Sequence, residues 1–313
     1  MQIIKPSAEI MEHNITPYQF IEKVGRTCYK SEDKITEGSA EKFVEGLIKR
    51  QHWAMLEHET IYFLLYTNYT VAGIFLEEED RKFFNVTESD DGLVISGSFR
   101  SFYEFLTNKH EALYGCIRAI LKESYPLVFQ DFRETKPIYP VGEVMNRQHF
   151  MQKFIYEPKT LFKHLTHTVK FVCDRGVSHE FVRHRVASFA QESTRYCNYS
   201  KDKFGNEITV IEPCFWDKDS LSFYFWKLAC ETSENIYTHL LTNGATPQEA
   251  RSVLPNSLKT ELIITATEEE WQHIVNLRYL GTTGSPHPQI KEVMGLIIND
   301  LIKESNQRIK GDK

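Results

Sequence analysis

The chain has 313 residues, 26% of them charged and 13% aromatic, and a net charge of −6. That length supports a large core in one elaborated domain or two smaller ones, and the acidic balance argues against a general nucleic-acid scaffold while leaving room for a local basic pocket. No apolar run reaches the ~18 residues of a membrane span and the N-terminus lacks a signal-peptide core; the cysteines (Cys28, Cys116, Cys173, Cys197, Cys214 and Cys230) form no CxxC pair, which points to a reducing, cytoplasmic setting.

In chain order, Gln2-Ile3-Ile4 is strand-like, and Thr16 before Pro17 is an N-cap with proline at the first helical position. Ile21, Val24 and Cys28 continue that helix's apolar face, and a second amphipathic helix covers 41–50. The β-branched and aromatic run at 55–66 becomes a strand just after His58. From about 70 to 155 the chain reads as an insertion elaborating one catalytic domain that spans 1–313. It holds charged breaks at 77–81 and 88–92, a strand over 93–98, a helical pattern over 100–121, and a linker marked by Pro137 and Pro140. No internal repeat and no low-complexity segment is evident.

Further on, 166–173 alternates as a strand, and Ser178 is the expected N-cap of a short helix over 179–183. A polar loop follows at 198–205, then helical patterns at 220–241 and 246–254. A strand at 261–267 leads into a helix over 268–278, stopped near Gly281 and Gly284, and an amphipathic helix over 289–309 closes the chain.

The densest chemistry lies in Arg183-His184-Arg185-Val186-Ala187-Ser188-Phe189-Ala190-Gln191-Glu192-Ser193-Thr194-Arg195-Tyr196. Its periodicity is mixed, so a helix end running into an irregular or extended loop is expected. Partly buried guanidinium groups need partners, and phosphate oxygens match the planar fork while serine hydroxyls add neutral hydrogen bonds. A salt-bridged surface segment, with Glu192 as the counter-charge, accounts for the composition equally well.

Other chemistries find less support. There is no Gly-x-Gly-x-x-Gly after a strand, no Walker loop and no His-Glu-x-x-His. His164, His167, His179 and His184 follow no familiar ligand spacing, so no metal is expected. Cys197 beside Arg195 has a cation to lower its pKa but no orienting partner, and a lone cysteine is usually a small buried apolar residue.

The order Arg-His-Arg, two residues, Ser, four residues, Ser, one residue, Arg-Tyr resembles the signature of flavin-dependent thymidylate synthases, with every fixed position filled. Three further blocks appear in that family's order. Leu56-Glu57-His58-Glu59-Thr60 resembles its first flavin-contacting segment, Ala250-Arg251-Ser252-Val253-Leu254-Pro255 a segment supplying a nucleotide-binding arginine, and Asn276-Leu277-Arg278 the one whose arginine contacts the pyrimidine. Together they cover roughly 50–70 and 160–295.

The resemblance implies an α/β (α+β) enzyme with a mixed or antiparallel sheet flanked by helices, the thymidylate synthase-complementing type of fold. It also implies a homotetramer with shared sites that makes dTMP from dUMP. 5,10-methylenetetrahydrofolate would give the carbon and FAD, reduced by NADPH, the hydride, with no covalent cysteine; neither nucleic acid nor membrane is an expected partner. Carried over by position, Glu180, Phe181, Arg183, Gln191, Glu192, Ser193, Arg195, Arg251 and Arg278 would line the dUMP pocket, with Arg278 and Ser193 nearest the chemistry. His58, Thr60, Arg183, His184, Arg185, Gln191, His273 and His287 would face FAD, His58 and Thr60 from a neighbouring subunit. Ser188 and Tyr196 match the signature but serve equally well to shape the loop. Where some members place Asn and Arg before the last arginine, this chain has Thr267, Glu269 and His273, and Glu269 reverses a charge. The runner-up is a non-catalytic nucleotide- or nucleic-acid-binding module that uses the arginines for phosphate alone.

Overall fold

The computed structural model describes residues 1–66, 83–109, 112–133, 141–195, 197–199 and 205–301. The expected break at 77–81, the Pro137–Pro140 linker, Tyr196, most of the polar loop and the end of the closing helix lie outside the described residues.

Among the described residues, ten strands form three sheets: β1 (Gln2–Ile4), β2 (Ser7–Met11), β3 (Thr60–Leu65), β4 (Asn85–Ser89), β5 (Gly92–Ser98), β6 (Gly142–Met145), β7 (Thr166–Asp174), β8 (Ser188–Gln191), β9 (Thr209–Ile211) and β10 (Lys259–Thr267). One four-stranded sheet runs β2-β7-β10-β8 and the other β4-β5-β3-β6, both antiparallel throughout; β1 and β9 make a small parallel pair. With helices packed on these sheets, the fold is the mixed α/β class with antiparallel sheets that the sequence implies. The inner strands β3 and β10 are buried on both faces; β3 is an apolar run over 61–65, while β10 sets Leu262-Ile263-Ile264 among threonines and the Lys259–Glu261 charges.

Local chemistry sets the helix boundaries. Thr16 accepts from Gln19 N and Gln19 reaches back to Thr16 N, a capping box that starts the Pro17–Tyr29 helix; Lys30 ends it in the left-handed region. The helix before the signature begins earlier than expected. Asp174, not Ser178, is its N-cap, since Asp174 Oδ1 accepts from Val177 N at 2.7 Å and Ser178 Oγ donates back to Arg175 O. A carboxylate at a helix N-terminus gains from the dipole as well as the hydrogen bond, so it outcompetes a hydroxyl four residues on. The pattern over 100–121 is two helices, Phe99–Thr107 and Ala112–Ser124, the first ended where Thr107 Oγ1 turns back onto Tyr103 O and Asn108 caps the turn.

The described part of the 70–155 segment builds much of the second sheet. Gly92, at φ 139°, lets the β4–β5 hairpin turn at a conformation that side chains rarely adopt. Phe63, Phe84, Phe99, Phe102, Phe105 and Phe129 fill a core between this sheet and the helices around it. Phe84 lies edge-on to Phe102 with ring centroids 5.0 Å apart, the arrangement aromatic quadrupoles favour.

Phe102 is fully buried there. Phe102→Ala is expected to cost about 3–5 kcal/mol of stability, read as a lowered urea midpoint at unchanged slope; a midpoint unmoved within error would contradict this packing.

Candidate active site

The signature is presented by β10 and its neighbours. β7 ends at Asp174, the Arg175–Phe181 helix follows, and after a turn Ser188–Gln191 returns as β8 against β10, pairing Ser188 with Thr265 and Gln191 with Leu262. The expected loop is thus extended enough to add an edge strand. Beyond it, Glu192 N donates to Glu261 O and Ser193 N to Cys28 O.

Beneath Glu192 lies a buried charge cluster. Lys259 Nζ donates to Glu192 Oε2 at 2.9 Å and to Glu261 Oε1 at 2.6 Å; Lys30 pairs with the same Glu261 oxygen, and Lys170 reaches its other oxygen at 2.9 Å. Burial alone would raise the Glu261 carboxyl, but Lys259 and Lys30 outweigh it and hold it at about 2. Lys259 is likewise opposed by burial yet raised by Glu192 and Glu261. None of these lysines was singled out in the sequence. The available signal was Lys259 and Glu261 alternating on one face of an otherwise apolar strand.

A second network holds the histidine of the signature. Buried His184 accepts from Arg278 Nε at Nε2, 3.1 Å away, so its ring proton sits on Nδ1, facing Glu270 Oε1 at 3.3 Å. Arg278 also donates to Glu180 twice, Nη1 to Oε2 at 3.0 Å and Nη2 to the backbone O at 2.9 Å. It projects from a single wide turn, Asn276–Leu280, that continues the Glu268–Val275 helix and is closed by Gly281 in the left-handed region. His273 lies edge-on to His184 at 5.6 Å. His184, Glu270 and His273 bring donor atoms within 4.8 Å of one another, a grouping the histidine spacings did not reveal. Both His184 nitrogens are already engaged, by Arg278 and Glu270, so the set acts as a hydrogen-bonded lock on Arg278.

The structure divides the expected residues into three groups, exposed, half-buried and buried. Arg183, Arg185, Arg195, Arg251, His273 and His287 are exposed, and Ser193, Gln191, Glu180, Arg278 and Thr60 are half-buried. Arg251 Nη1 donates to Thr194 Oγ1 at 3.3 Å, so that distant block does meet the signature. Gln191 is spent internally on Ser178 and Thr260. Phe181 is fully buried and stacked on Phe171 at 4.7 Å, and Glu192 is only 2% exposed, so both serve the core and the ion cluster rather than an open pocket wall. His58 is fully buried too: its Nδ1 bonds Thr265 Oγ1 at 2.8 Å, and burial pushes its pKa down to about 4. An expected ligand-facing histidine is therefore a core hydrogen-bonding group. His287 caps the Pro288–Gly295 helix and lies edge-on to Phe215 at 5.7 Å. Cys197 is buried, as a small apolar residue would be.

Thr60, Arg185, Ser188 and Thr267 share a cleft of about 560 Å³ between the two large sheets, with Arg100 and Ser98 also on its walls. Polar hydroxyls and two guanidinium groups beside apolar Phe83 and Val186 suit a large, flat ligand that carries phosphate.

Fold and site together define a mixed α/β protein with antiparallel sheets, in which part of the arginine signature lines a polar cleft. The chain belongs to the thymidylate synthase complementing protein family (Thy1), whose model matches residues 106–305. A flavin-dependent thymidylate synthase of Pyrococcus furiosus is 27% identical over 175 residues, 56% of this chain and 70% of that protein. One of Pyrococcus horikoshii is 31% identical over 156 residues (50% and 62%), and one of Geobacter sulfurreducens 32% over 104 residues (33% and 43%). The UMP/dUMP methylase PolB of Streptomyces cacaoi, solved with 5-Br dUMP, aligns over 99% of this chain and 97% of its own at 13% identity and a TM-score of 0.42, a likeness too distant to bear on the site.

The ion cluster has a pH signature. A carboxyl that ordinarily titrates at 4.5 but at about 2 in the fold contributes stability above 4.5 that is lost as pH falls toward 2. Glu261→Gln is expected to lower Tm at neutral pH and to flatten the acid limb of Tm over that window. An acid limb parallel to the parent protein's would show that Glu261 is not the group responsible.

Proposed function

We propose that this chain is a flavin-dependent thymidylate synthase that reductively methylates dUMP to dTMP, with 5,10-methylenetetrahydrofolate as carbon donor and NADPH as the source of reducing equivalents. The observation that carries the reading is the Arg183–Tyr196 signature, complete in sequence, whose residues 185–188 line a phosphate-suited cleft and whose His184 accepts from Arg278. FAD, when bound, would relay the hydride. Arg185 and Thr60, with Ser188 and Thr267, would hold it in the cleft, whose donor set fits a dinucleotide.

Every other step falls to the chain's own side chains. Arg195 and Arg251, exposed and near the signature's end, would take the substrate phosphate as charge-assisted hydrogen bonds. Arg278 would stabilise the negative charge that develops on the uracil imide, raising electron density at the carbon to be methylated; a preorganised cation is most effective where water is excluded. Glu180 and His184 fix the guanidinium in place beforehand, so little reorganisation is needed. Ser193 serves as a positioning hydroxyl, since no histidine lies at a triad-like spacing from it in the sequence. No cysteine is needed: none of the six is in a disulfide, and five are buried, with Cys214 exposed.

Self-association into a homotetramer is part of this reading. The Leu221–Thr242 helix leaves Leu221, Tyr224, Phe225, Leu228 and Ile236 exposed, a face that a further copy would cover. Among the described residues no helix is long and apolar enough to cross a membrane; a cytoplasmic site of action is part of the proposed reading.

The purified protein, supplied with FAD, is expected to show flavin absorbance that bleaches with NADPH and returns only when dUMP and methylenetetrahydrofolate are both present. A protein that takes up no flavin would instead support the phosphate-binding module. Arg278→Ala should retain the flavin spectrum while dTMP formation drops by about 10²–10³; turnover within tenfold of the parent would remove Arg278 from the chemistry.

A further inference from the structure

The two four-stranded sheets share one register. Thr60 pairs with Ser98 and Tyr62 with Ser96 across β3–β5, as Thr166 pairs with Thr267 and Thr168 with Thr265 across β7–β10. On one flank Met145 pairs with Tyr62 and Gly142 with Leu65, as Met11 pairs with Thr168 and Ala8 with Phe171. On the other, Asn85 pairs with Ser96 as Ser188 pairs with Thr265. Sequence follows the same frame. Leu93-Val94-Ile95-Ser96-Gly97-Ser98 matches Leu262-Ile263-Ile264-Thr265-Ala266-Thr267, and Ala8-Glu9-Ile10-Met11 matches Gly142-Glu143-Val144-Met145. His58-Glu59-Thr60 matches His164-Leu165-Thr166, and Ser98 and Thr267 each cap the helix that follows. The expectation of no internal repeat is therefore corrected. The repeat has no constant period, because the segments between matched stretches differ several-fold in length, and a search for periodicity passes over it.

The matched halves interlock by exchange. β2, which precedes β3 along the chain, pairs with β7, and β6, which precedes β7, pairs with β3. His58 Nδ1 bonds Thr265 Oγ1 at 2.8 Å, and His164 Nδ1 bonds Ser96 Oγ at 2.8 Å. The equivalent residues Thr60 and Thr166 touch each other, Oγ1 to Oγ1, at 3.1 Å. Reciprocal contacts, with equivalent groups meeting in the middle, are what a twofold axis produces in a homodimer. Here the axis runs between Thr60 and Thr166 of one chain. The 560 Å³ cleft straddles it, for its walls include Thr60 and Thr166, Ser98 and Thr267, Asn85 and Ser188.

Departures from the twofold indicate how the halves divide the work. Two positions after the helix cap stands Arg100 in one half and Glu269 in the other. Arg100 is on the cleft wall with Arg185, and Glu57 and Glu104 orient its guanidinium from 2.7 and 2.8 Å. Those two contacts use two of the five N–H donors that a guanidinium offers, leaving capacity for phosphate oxygens. Likewise, His164 Nε2 meets Thr87 Oγ1 at 2.9 Å, whereas the position matching Thr87 is Ala190, which has no hydroxyl for His58.

We infer that the chain is an internal duplication folded as a pseudo-dimer, in which the C-terminal half carries the arginine signature and the N-terminal half is a built-in partner. That partner completes the cleft in cis and lends Arg100 as a further binding residue for the phosphates of a dinucleotide. The ligand assigned to Arg100 rests on the cofactor reading proposed above; the duplication does not.

Two experiments on the full-length chain decide it. The double variant Thr60→Cys/Thr166→Cys, oxidised, denatured and run without reductant, is expected to carry a disulfide within one chain, because the two side chains meet at the axis. A band at twice the chain mass, or no bridge at all, overturns completion in cis. Binding of FAD and of riboflavin, which lacks phosphate, is then followed by flavin fluorescence for the parent, Arg100→Gln and Arg100→Lys. Arg100→Gln is expected to weaken FAD at least about tenfold, as loss of a charged hydrogen bond does, with riboflavin unchanged and Arg100→Lys in between. No loss, or equal loss for both flavins, removes Arg100 from the phosphate role. A parent protein that takes up neither flavin sinks the cofactor reading and the ligand of Arg100 with it, while the cross-link still decides whether the two halves meet within one chain.

Discussion

Lys259 stands between Glu192 and Glu261 in a part of the sheet where no one of these charges would be stable alone. Taking an ammonium or a carboxylate out of water costs several kcal/mol, repaid only when partners are close and remaining lone pairs are used. Here they are. Glu261 is met by Lys30, Lys170 and Lys259, and Glu192 by Lys259 with Tyr199 OH at 3.4 Å. The cluster ties the end of the Pro17–Tyr29 helix, β7 and β10 to the residue before Ser193. The register of the signature is thus held from beneath by electrostatics, leaving its upper face free for ligand chemistry. Removing one partner would strand the rest, so the arrangement works as a unit.

The arginines of the signature and of the two later blocks fall into two physical classes. Arg183, Arg185, Arg195 and Arg251 are exposed, keep much of their hydration and can exchange it for phosphate at small cost. Arg278 is half-buried and already bound to Glu180 and His184, with Glu270 behind the histidine. Exposed arginines suit binding, where affinity has to be reversible; a prepaired one suits a fixed position against developing charge. The same strand serves both classes, since β10 carries Glu261 at one end and, past Thr267, the helix and turn that present Glu270 and Arg278 at the other.

Elements set by local chemistry were legible in the sequence: Thr16, Pro17 and Gln19 at one helix start, Gly281 at a helix end, and the apolar runs of β3 and β10. So was the identity of the signature. What a residue does inside the site was less so, because the deciding partner is far away in sequence. His58 and Thr265 are separated by 207 residues, and nothing around His58 announces that it faces inward. Phe181 and Glu192 likewise sit in the signature region but answer to Phe171 and Lys259. The choice of Ser178 as helix cap failed for a local reason, a stronger acceptor four residues earlier, and that competition was visible in the sequence.

The pseudo-twofold explains why the two walls of the cleft have come to differ. In a homodimer every substitution appears on both sides of the axis, so a change that helps one wall is imposed on the other. A single chain carrying both walls is released from that constraint. Arg100 opposite Glu269, Thr87 opposite Ala190 and Asn85 opposite Ser188 are independent choices at matched positions. Symmetry survives where the halves touch, in Thr60 against Thr166 and the two histidine–hydroxyl pairs, because each of those contacts needs both members. On the cleft walls it is relaxed at Asn85 opposite Ser188 and at Arg100, whose counterpart Glu269 is not on the wall, as a ligand with two unlike ends would favour. Packing conserves the axis, and binding erodes it.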